Sequence, residues 1–266
     1  MAEEKPGEEG DEHKFRAVPL RFLLPNLITL VALCSGITAI RLAFEGRFEI
    51  ATAAVILAIF LDAVDGRLAR MLQGTSRFGA ELDSLADFVN FGVAPALLLY
   101  FWALNTTRPL GWVICLMFAV ACALRLARFN VALDDANKPP FAANFFSGMP
   151  APAGAAIAMV PLYFGFLVGD TQGHKHVAYV APLIVFLAVM MVSRVPTFSG
   201  KNLSRVPRDM ILPVLAAAAL AIVCLISFPW QSLLVASAVY LGMIPLSSYR
   251  YWSLKRRLET PPPPHS

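Results

Sequence analysis

Four aspartates, Asp62, Asp65, Asp83 and Asp87, stand in two otherwise apolar stretches of the sequence. An ionised carboxylate at membrane depth costs at least about 2.5 kcal/mol, so something must compensate these side chains. Carboxylate oxygens are hard ligands that suit magnesium or manganese, and these ions keep open positions for phosphate oxygens. A pair of such ions clamps a phosphoryl group during its transfer. The aspartates therefore predict a two-metal site for phosphoryl transfer.

The spacing of these acids places them on the facing sides of two helices. Asp62 and Asp65 share one helical face, as do Asp83 and Asp87. The connection at 71–77 makes the two helices an antiparallel hairpin. With a helical rise of about 1.5 Å per residue, Asp65 and Asp83 lie about 8 Å from the connection, and Asp62 and Asp87 roughly 12–14 Å. We therefore expect all four carboxylates to converge at matched depth.

The composition indicates an integral membrane protein. Of the 266 residues, 58% are hydrophobic and only 15% are charged. Soluble domains have about 25% charged residues. The four cysteines lie in apolar runs without paired ligand spacing, which argues against a disulfide framework or a zinc site. Basic and aromatic residues do not interleave as they do on nucleic-acid-binding surfaces, so we expect no nucleic-acid partner.

Apolar stretches long enough to cross the roughly 30 Å of hydrocarbon in a bilayer occur along most of the chain. They predict an all-α bundle of about eight transmembrane helices, at 22–44, 48–72, 78–104, 110–133, 148–168, 177–193, 210–228 and 230–247. Together these helices form one transmembrane domain over 19–248. The acidic segment 1–18 is predicted to be a disordered tail. The segment 249–266 is a basic, then proline-rich, C-terminal tail.

The basic residues predict the orientation of this bundle. Of the 22 lysines and arginines, 18 fall in the two tails and in alternate loops. Cytoplasmic loops carry such an excess, so both termini and the aspartate hairpin are expected on the cytoplasmic side. The basic inner face suits anionic headgroups and nucleotide phosphates. Without a soluble accessory domain, the chain is expected in the plasma (inner) membrane of a bacterium or an archaeon.

The aspartates belong to a longer pattern of fixed residues. The pattern reads Asp62-x-x-Asp65-Gly66-x-x-Ala69-Arg70, eight residues, Gly79, three residues, Asp83, three residues and Asp87. In this the chain resembles the CDP-alcohol phosphotransferase family at every fixed position of its motif. The resemblance implies six core transmembrane helices, a CDP-linked donor, release of CMP and two ions of Mg²⁺ or Mn²⁺. It also implies that the first three aspartates are metal ligands and that Asp87 is both ligand and base.

Less specific motifs extend the resemblance to the phosphatidylserine synthases of bacteria and archaea. They are Pro25-Asn26-x-x-Thr29, Arg125-Leu-Ala-Arg128-Phe129-Asn130, Phe146-Ser-Gly148-Met-Pro150-x-Pro152 and Val195-Pro196-Thr-Phe-Ser-Gly-Lys201. Met149 departs from the leucine expected in that subfamily. The resemblance implies CDP-diacylglycerol as donor, L-serine as acceptor and membrane lipids as surroundings. A homodimer is also in keeping with the family.

The resemblance and the positions of the basic residues nominate contacts for the two substrates. The residues implied for CDP-diacylglycerol are Asn26, Thr29, Gly66, Ala69, Arg70 and Gly79. The carboxylate of serine needs a cationic partner near the cytoplasmic ends of the fourth and sixth predicted helices. The candidates for this acceptor side are Arg125, Arg128, Asn130, Arg194 and Lys201. Of these we favour Arg128 with Asn130 nearby, although each basic residue also serves as a topology signal.

Two alternative functions stay open at this point. The first keeps the chemistry but uses choline, glycerol phosphate or inositol phosphate as the acceptor, which the aspartates do not discriminate. The second is a cation transporter that uses the aspartates as its ion site. Against the transporter, the sequence has no clear inverted repeat and no matching pair of interrupted helices. Purely structural ion pairing is disfavoured because too few bases lie at membrane depth.

Overall fold

The computed structural model describes residues 20–72, 76–133, 145–170, 173–193, 195–198 and 210–259. Within these ranges the chain forms ten α-helices. They are α1 (Leu20–Phe44), α2 (Phe48–Met71), α3 (Arg77–Asp87), α4 (Ala94–Trp102), α5 (Leu110–Leu133), α6 (Ala151–Ala158), α7 (Val160–Val168), α8 (Val177–Val192), α9 (Ile211–Ser227) and α10 (Pro229–Glu259). Almost all of the described chain is therefore helical, as expected.

Short segments of other structure connect these helices. A π-helical segment, Phe88–Val93, joins α3 directly to α4, and 3₁₀ turns lie at Leu104–Thr107 and Gly173–His176. Two strands, β1 (Phe145–Ser147) and β2 (Pro196–Phe198), pair in antiparallel register. This pair was not expected from the sequence. It ties the segment before α6 to the segment after α8.

Five helical units of the described chain are long and apolar enough to cross a membrane. They are Leu23–Phe44, Arg77–Trp102, Leu110–Ala132, Ala151–Val168 and Pro229–Ser247. The second unit comprises α3, the π-helical segment and α4, and the fourth comprises α6 and α7. The helices α8 and α9 are apolar but shorter. The chain is thus a helical membrane protein, while the count of eight spans and the cytoplasmic position of both termini stay predictions.

The two predicted tails have different positions relative to the described chain. The N-terminal tail at 1–18 lies outside the described residues. At the other end, α10 continues to Glu259, into the segment predicted as the C-terminal tail. The remainder of that tail, from residue 260 onward, lies outside the described residues.

Local sequence explains how the helices near the aspartates begin and end. Gly46 adopts a left-handed conformation with φ of 76°, which a glycine does without strain, and so closes the turn between α1 and α2. Ser76 caps the start of α3, where its hydroxyl accepts a hydrogen bond from the Gly79 N–H at 3.0 Å. Both α2 and α3 pack against α1, and the four aspartates lie on α2 and α3.

The interior of the bundle lies among α1, α2, α4, α5, α6, α7 and α8. It contains large side chains with almost no exposure, including Phe91, Trp102, Phe118 and Tyr163. In α9, by contrast, no side chain is buried. Outward apolar residues of α9 such as Leu212 suit a lipid environment, because hydrocarbon presents no penalty to them. The site therefore lies on the packed part of the bundle, and α9 is peripheral to it.

Candidate active site

Three aspartates from α2 and α3 meet in one cluster. Asp62, Asp83 and Asp87 each offer a carboxylate oxygen, and these oxygens all lie within 4.8 Å of one another. The three side chains are half-buried. Carboxylates held so close repel one another unless a cation lies between them. The donor set consists only of hard oxygen ligands, so it fits a divalent metal ion.

The fourth aspartate lies beside this cluster and is held by a different helix. Asp65 is only 3% exposed. Its Oδ2 atom accepts a hydrogen bond from the Thr29 hydroxyl of α1 at 2.6 Å. A carboxylate fixed by a neighbouring hydroxyl keeps one orientation, as metal ligands with outer-shell partners do. The structure thus groups three of the four predicted ligands closely and places Asp65 next to them against α1.

A cavity of about 350 Å³ opens beside the aspartates. It lies among α1, α2 and α3, with one further contribution from Phe129 of α5. Asp65 and Asp83 are on its wall, which joins the cavity to the carboxylate cluster. All six residues predicted for the donor line it: Asn26, Thr29, Gly66, Ala69, Arg70 and Gly79. The family motif therefore occupies one continuous surface.

Two motif glycines shape this cavity in different ways. A Cβ atom at Gly79 would lie 2.7 Å from Oδ1 of Asn26 and 3.1 Å from Oγ of Ser76, so Gly79 lets α3 begin close against α1. A Cβ atom at Gly66 would meet only the Arg70 guanidinium, at 3.9 Å. Gly66 thus faces open space and widens the cavity. Small residues at both positions leave room for a bulky ligand beside the carboxylates.

The residues predicted for the acceptor are divided among different environments. Arg125 of α5 is half-buried and lies within electrostatic range of Asp62 and Asp87. Arg128, which the sequence favours, is exposed and donates a hydrogen bond to the carbonyl oxygen of Val192 at 2.7 Å. The Nδ2 group of Asn130 donates to Ser84 Oγ of α3 at 2.8 Å.

The remaining two acceptor candidates, Arg194 and Lys201, lie outside the described residues. Of the three that the structure describes, Arg125 interacts electrostatically with two aspartates of the carboxylate cluster, Asp62 and Asp87. The motif around residues 125–130 therefore separates into a part that faces the site and a part that contacts neighbouring helices.

One polar residue near the site was missed in the sequence. Asn90 lies in the π-helical segment immediately after Asp87, is 1% exposed and packs against Gly36 of α1. Its Oδ1 atom has no hydrogen-bond partner within the described part of the chain. π-helical turns are frequent at functional sites. The available signal was an asparagine in an apolar run, three residues beyond the last motif aspartate.

Comparisons with known proteins match the motif and extend beyond it. The sequence model of the CDP-alcohol phosphatidyltransferase family matches residues 22–194. A second model, described as CDP-alcohol phosphatidyltransferase 2, matches residues 209–245. The first match includes α1 to α8 with the aspartate cluster and the adjoining cavity. The matched region is therefore the region that builds the site.

Similar proteins come from both bacteria and an archaeon, and each carries the name CDP-diacylglycerol–serine O-phosphatidyltransferase. One from Mycobacterium leprae (strain TN) is 39% identical over 234 residues, covering 87% of this chain and 76% of the relative. One from Helicobacter pylori (strain ATCC 700392 / 26695) is 36% identical, covering 66% and 73%. One from Methanocaldococcus jannaschii is 32% identical, covering 67% and 76%. The chain therefore belongs to the CDP-alcohol phosphatidyltransferase family.

Proposed function

We propose that this chain is a phosphatidylserine synthase, which transfers the phosphatidyl group of CDP-diacylglycerol to the hydroxyl of L-serine. The products are phosphatidylserine and CMP. The observation that carries the proposal is the cluster of Asp62, Asp83 and Asp87, whose oxygens lie within 4.8 Å of one another beside a cavity lined by the family motif. The name shared by relatives of up to 39% identity supports serine as the acceptor.

The aspartates would hold the metal. Asp62, Asp83 and Asp87 offer converging oxygens, and Asp65 is fixed beside them by Thr29. We assign this set to two ions of Mg²⁺ or Mn²⁺, because four carboxylates and two divalent cations balance in charge. When bound, such ions polarise phosphoryl oxygens and offset the charge that develops on them during transfer.

The cavity of α1, α2 and α3 would hold the cytidine diphosphate part of the donor. Arg70, at its exposed edge, supplies a guanidinium for the phosphates, which such a group binds in a bidentate way. Gly66 leaves open space inside, and the side chain of Asn26 reaches the cavity from α1. Because Asp65 and Asp83 lie on the same wall, a donor bound there would present its phosphates to the carboxylates.

Asp87 would accept the proton that the reaction releases. The oxygen of the serine hydroxyl forms a bond to the β-phosphorus of the donor, its proton passes to the Asp87 carboxylate, and the bond from that phosphorus to CMP breaks. CMP leaves with the bonding electrons. A base must lie within reach of the reacting hydroxyl, and Asp87 meets this requirement if serine enters beside the cluster. The residue thus serves both as ligand and as base.

The proposed arrangement in the membrane follows from the charge distribution. The active site faces the cytoplasm, both termini are cytoplasmic, and eight helices span the inner membrane of a bacterium or an archaeon, six of them forming the family core. The bias of 18 in 22 lysines and arginines toward one side supports this orientation. A homodimer is an expectation from the family alone.

A direct assay tests the proposal. The purified protein is supplied with CDP-diacylglycerol, magnesium and one radiolabelled acceptor, and lipid-bound label and CMP are both measured. We expect serine to enter lipid with equimolar CMP. Incorporation of choline, glycerol phosphate or inositol phosphate without serine would support the phosphatidyl transfer but contradict serine as the acceptor. Metal flux through reconstituted vesicles without CMP formation would favour the transporter.

A further inference from the structure

We infer that Arg125, rather than Arg128, binds the carboxylate of the acceptor. The inference rests on the proposed function and assigns a specificity-determining residue within it. Both arginines lie on α5, only three residues apart, and the sequence alone favours Arg128. Their surroundings differ in burial, in hydrogen bonding and in ring contacts.

Arg125 is a half-buried cation that forms no ion pair with the residues that the structure describes. It interacts electrostatically with Asp62 and Asp87 and with Tyr240 of α10. The ion pairs within the described ranges involve other residues: Arg41 with Glu45, Arg47 with Glu45 and His176 with Asp170. Removing a guanidinium from water is costly unless it is paired, so a half-buried arginine points to a functional partner.

Phe129 holds this guanidinium at the edge of the donor cavity. The Cζ atom of Arg125 lies 5.6 Å from the centroid of the Phe129 ring, a cation–π contact. The ring itself lines the cavity. Contact with a ring does not consume the N–H donors of a guanidinium, which form a rigid fork suited to a carboxylate. Arg125 therefore contacts a ring that lines the donor cavity, and its guanidinium can bind a carboxylate in a bidentate way.

Arg128 makes a structural contact with a neighbouring helix. Its side chain is exposed, and Nη1 donates to the carbonyl oxygen of Val192, the last residue of α8, at 2.7 Å. The last carbonyls of a helix lack partners within the helix, and a cation there is favourable. Arg128 thus caps α8 and ties it to α5. It is a structural contact rather than a partner for the substrate.

The chemistry of the acceptor agrees with this assignment. In serine, only Cα and Cβ separate the hydroxyl oxygen from the carboxylate, so the group that binds the carboxylate must lie close to the base. Arg125 interacts electrostatically with Asp87 and contacts Phe129, which lines the donor cavity, whereas the hydrogen bond of Arg128 goes to the end of α8. In the proposed function two divalent ions balance the four aspartates, so a further cation at Arg125 is left to pair with the carboxylate of the acceptor. Such a cation favours an acidic alcohol over a neutral one.

L-Serinamide provides the test, because it keeps the hydroxyl and the amine but replaces the carboxylate with a neutral amide. The ratio of kcat/KM for L-serine to that for L-serinamide is measured with CDP-diacylglycerol and magnesium. In Arg125→Gln we expect the KM for serine to rise about 10- to 100-fold, because a hydrogen bond to a charged group is lost. The KM for L-serinamide changes little, so the ratio falls by the same factor. Arg128→Gln keeps the ratio.

Three results would overturn the assignment. They are an unchanged ratio in Arg125→Gln, a fall in the ratio in Arg128→Gln instead, and an equal loss of activity with both acceptors in Arg125→Gln. The last would mean that Arg125 serves the aspartates. If thermal unfolding shows that Arg125→Gln does not fold, Arg125→Lys replaces it. In Arg125→Lys we expect an intermediate rise in the KM for serine. An unchanged KM for serine in that variant would contradict the assignment. Failure of the unaltered protein to use serine would contradict the proposed function instead.

Discussion

The two sides of the aspartate cluster are built in different ways. The donor side, formed by α1, α2 and α3, consists of small and short side chains such as Gly66, Gly79 and Thr29 around a cavity. The acceptor side, on α5, has long cationic side chains, of which Arg125 contacts a ring of the same helix and Arg128 contacts the end of α8. The donor side is fixed by local spacing along one hairpin and its neighbour α1. Spacing along α5 does not fix which arginine faces the acceptor, which explains why the phosphoryl-transfer chemistry is easier to recognise in this sequence than the acceptor alcohol.

The largest effect is expected where the two sides meet, at Asp87. Asp87→Asn removes the base and one metal ligand while it keeps the size of the side chain. Because a positioned base contributes about 10²–10⁴-fold, we expect CMP formation to fall by at least about 10³-fold with both roles lost. Glu81→Gln is the matched control, since Glu81 is an exposed acid on the same helix. Near-normal CMP release by Asp87→Asn would contradict the proposed mechanism.

The next largest effect is expected on metal affinity, when the hydroxyl that contacts Asp65 is removed. Thr29→Val removes the hydroxyl that donates to Asp65 but keeps the branched shape. Outer-shell partners are worth about 10- to 100-fold in metal affinity, so the magnesium concentration for half-maximal activity should rise by that factor. The KM for serine should stay unchanged, because the acceptor side is untouched.

Thr38→Val is the matched control for this change. The Thr38 hydroxyl lies on the same helix, is exposed, and bonds only to the carbonyl oxygen of Cys34 at 2.6 Å. Magnesium dependence should therefore be normal in Thr38→Val. An equal shift in the two variants would show that α1 as a whole, rather than the Asp65 contact, is responsible.

Much of the donor side could be predicted because it depends on spacing within the chain. The predicted helix at 48–72 corresponds to α2 (Phe48–Met71), and that at 110–133 corresponds to α5 (Leu110–Leu133). Helical periodicity then places Asp62 opposite Asp83 and Asp87. The bond between Asp65 and Thr29 was not predictable, because it joins residues 36 positions apart and requires the packing of α1 on α2.

Other features lie beyond sequence reasoning for physical reasons. The π-helical segment Phe88–Val93 has the same apolar pattern as an α-helix, so periodicity does not reveal it. The pairing of β1 with β2 joins three-residue segments that are distant in sequence. The hydrogen bond of Arg128 to Val192 depends on the packing of α5 against α8. Spacing along α5 does not reveal that one of its two arginines contacts the end of another helix.

A smaller effect is expected at Gly79, which lines the donor cavity. In Gly79→Ala the new methyl group displaces the Asn26 side chain, which can rotate away at little cost in stability. The loss of one donor contact is worth about 1 kcal/mol, so the KM for CDP-diacylglycerol should rise about fivefold. Gly242→Ala is the control, since a Cβ atom there meets nothing within 4 Å among the described residues. An unchanged KM for the donor would remove Asn26 from the proposed binding surface.

The smallest effect is expected at Arg128, on the acceptor side. Arg128→Ala removes the hydrogen bond to Val192 at the end of α8. Because the side chain is exposed, the expected loss is about 1 kcal/mol of unfolding free energy, or about 2–4 °C in Tm. The preference for serine over L-serinamide should persist, since the carboxylate partner is Arg125. A variant of normal stability that had lost this preference would reverse the roles of the two arginines and make Arg128 the partner of the substrate carboxylate.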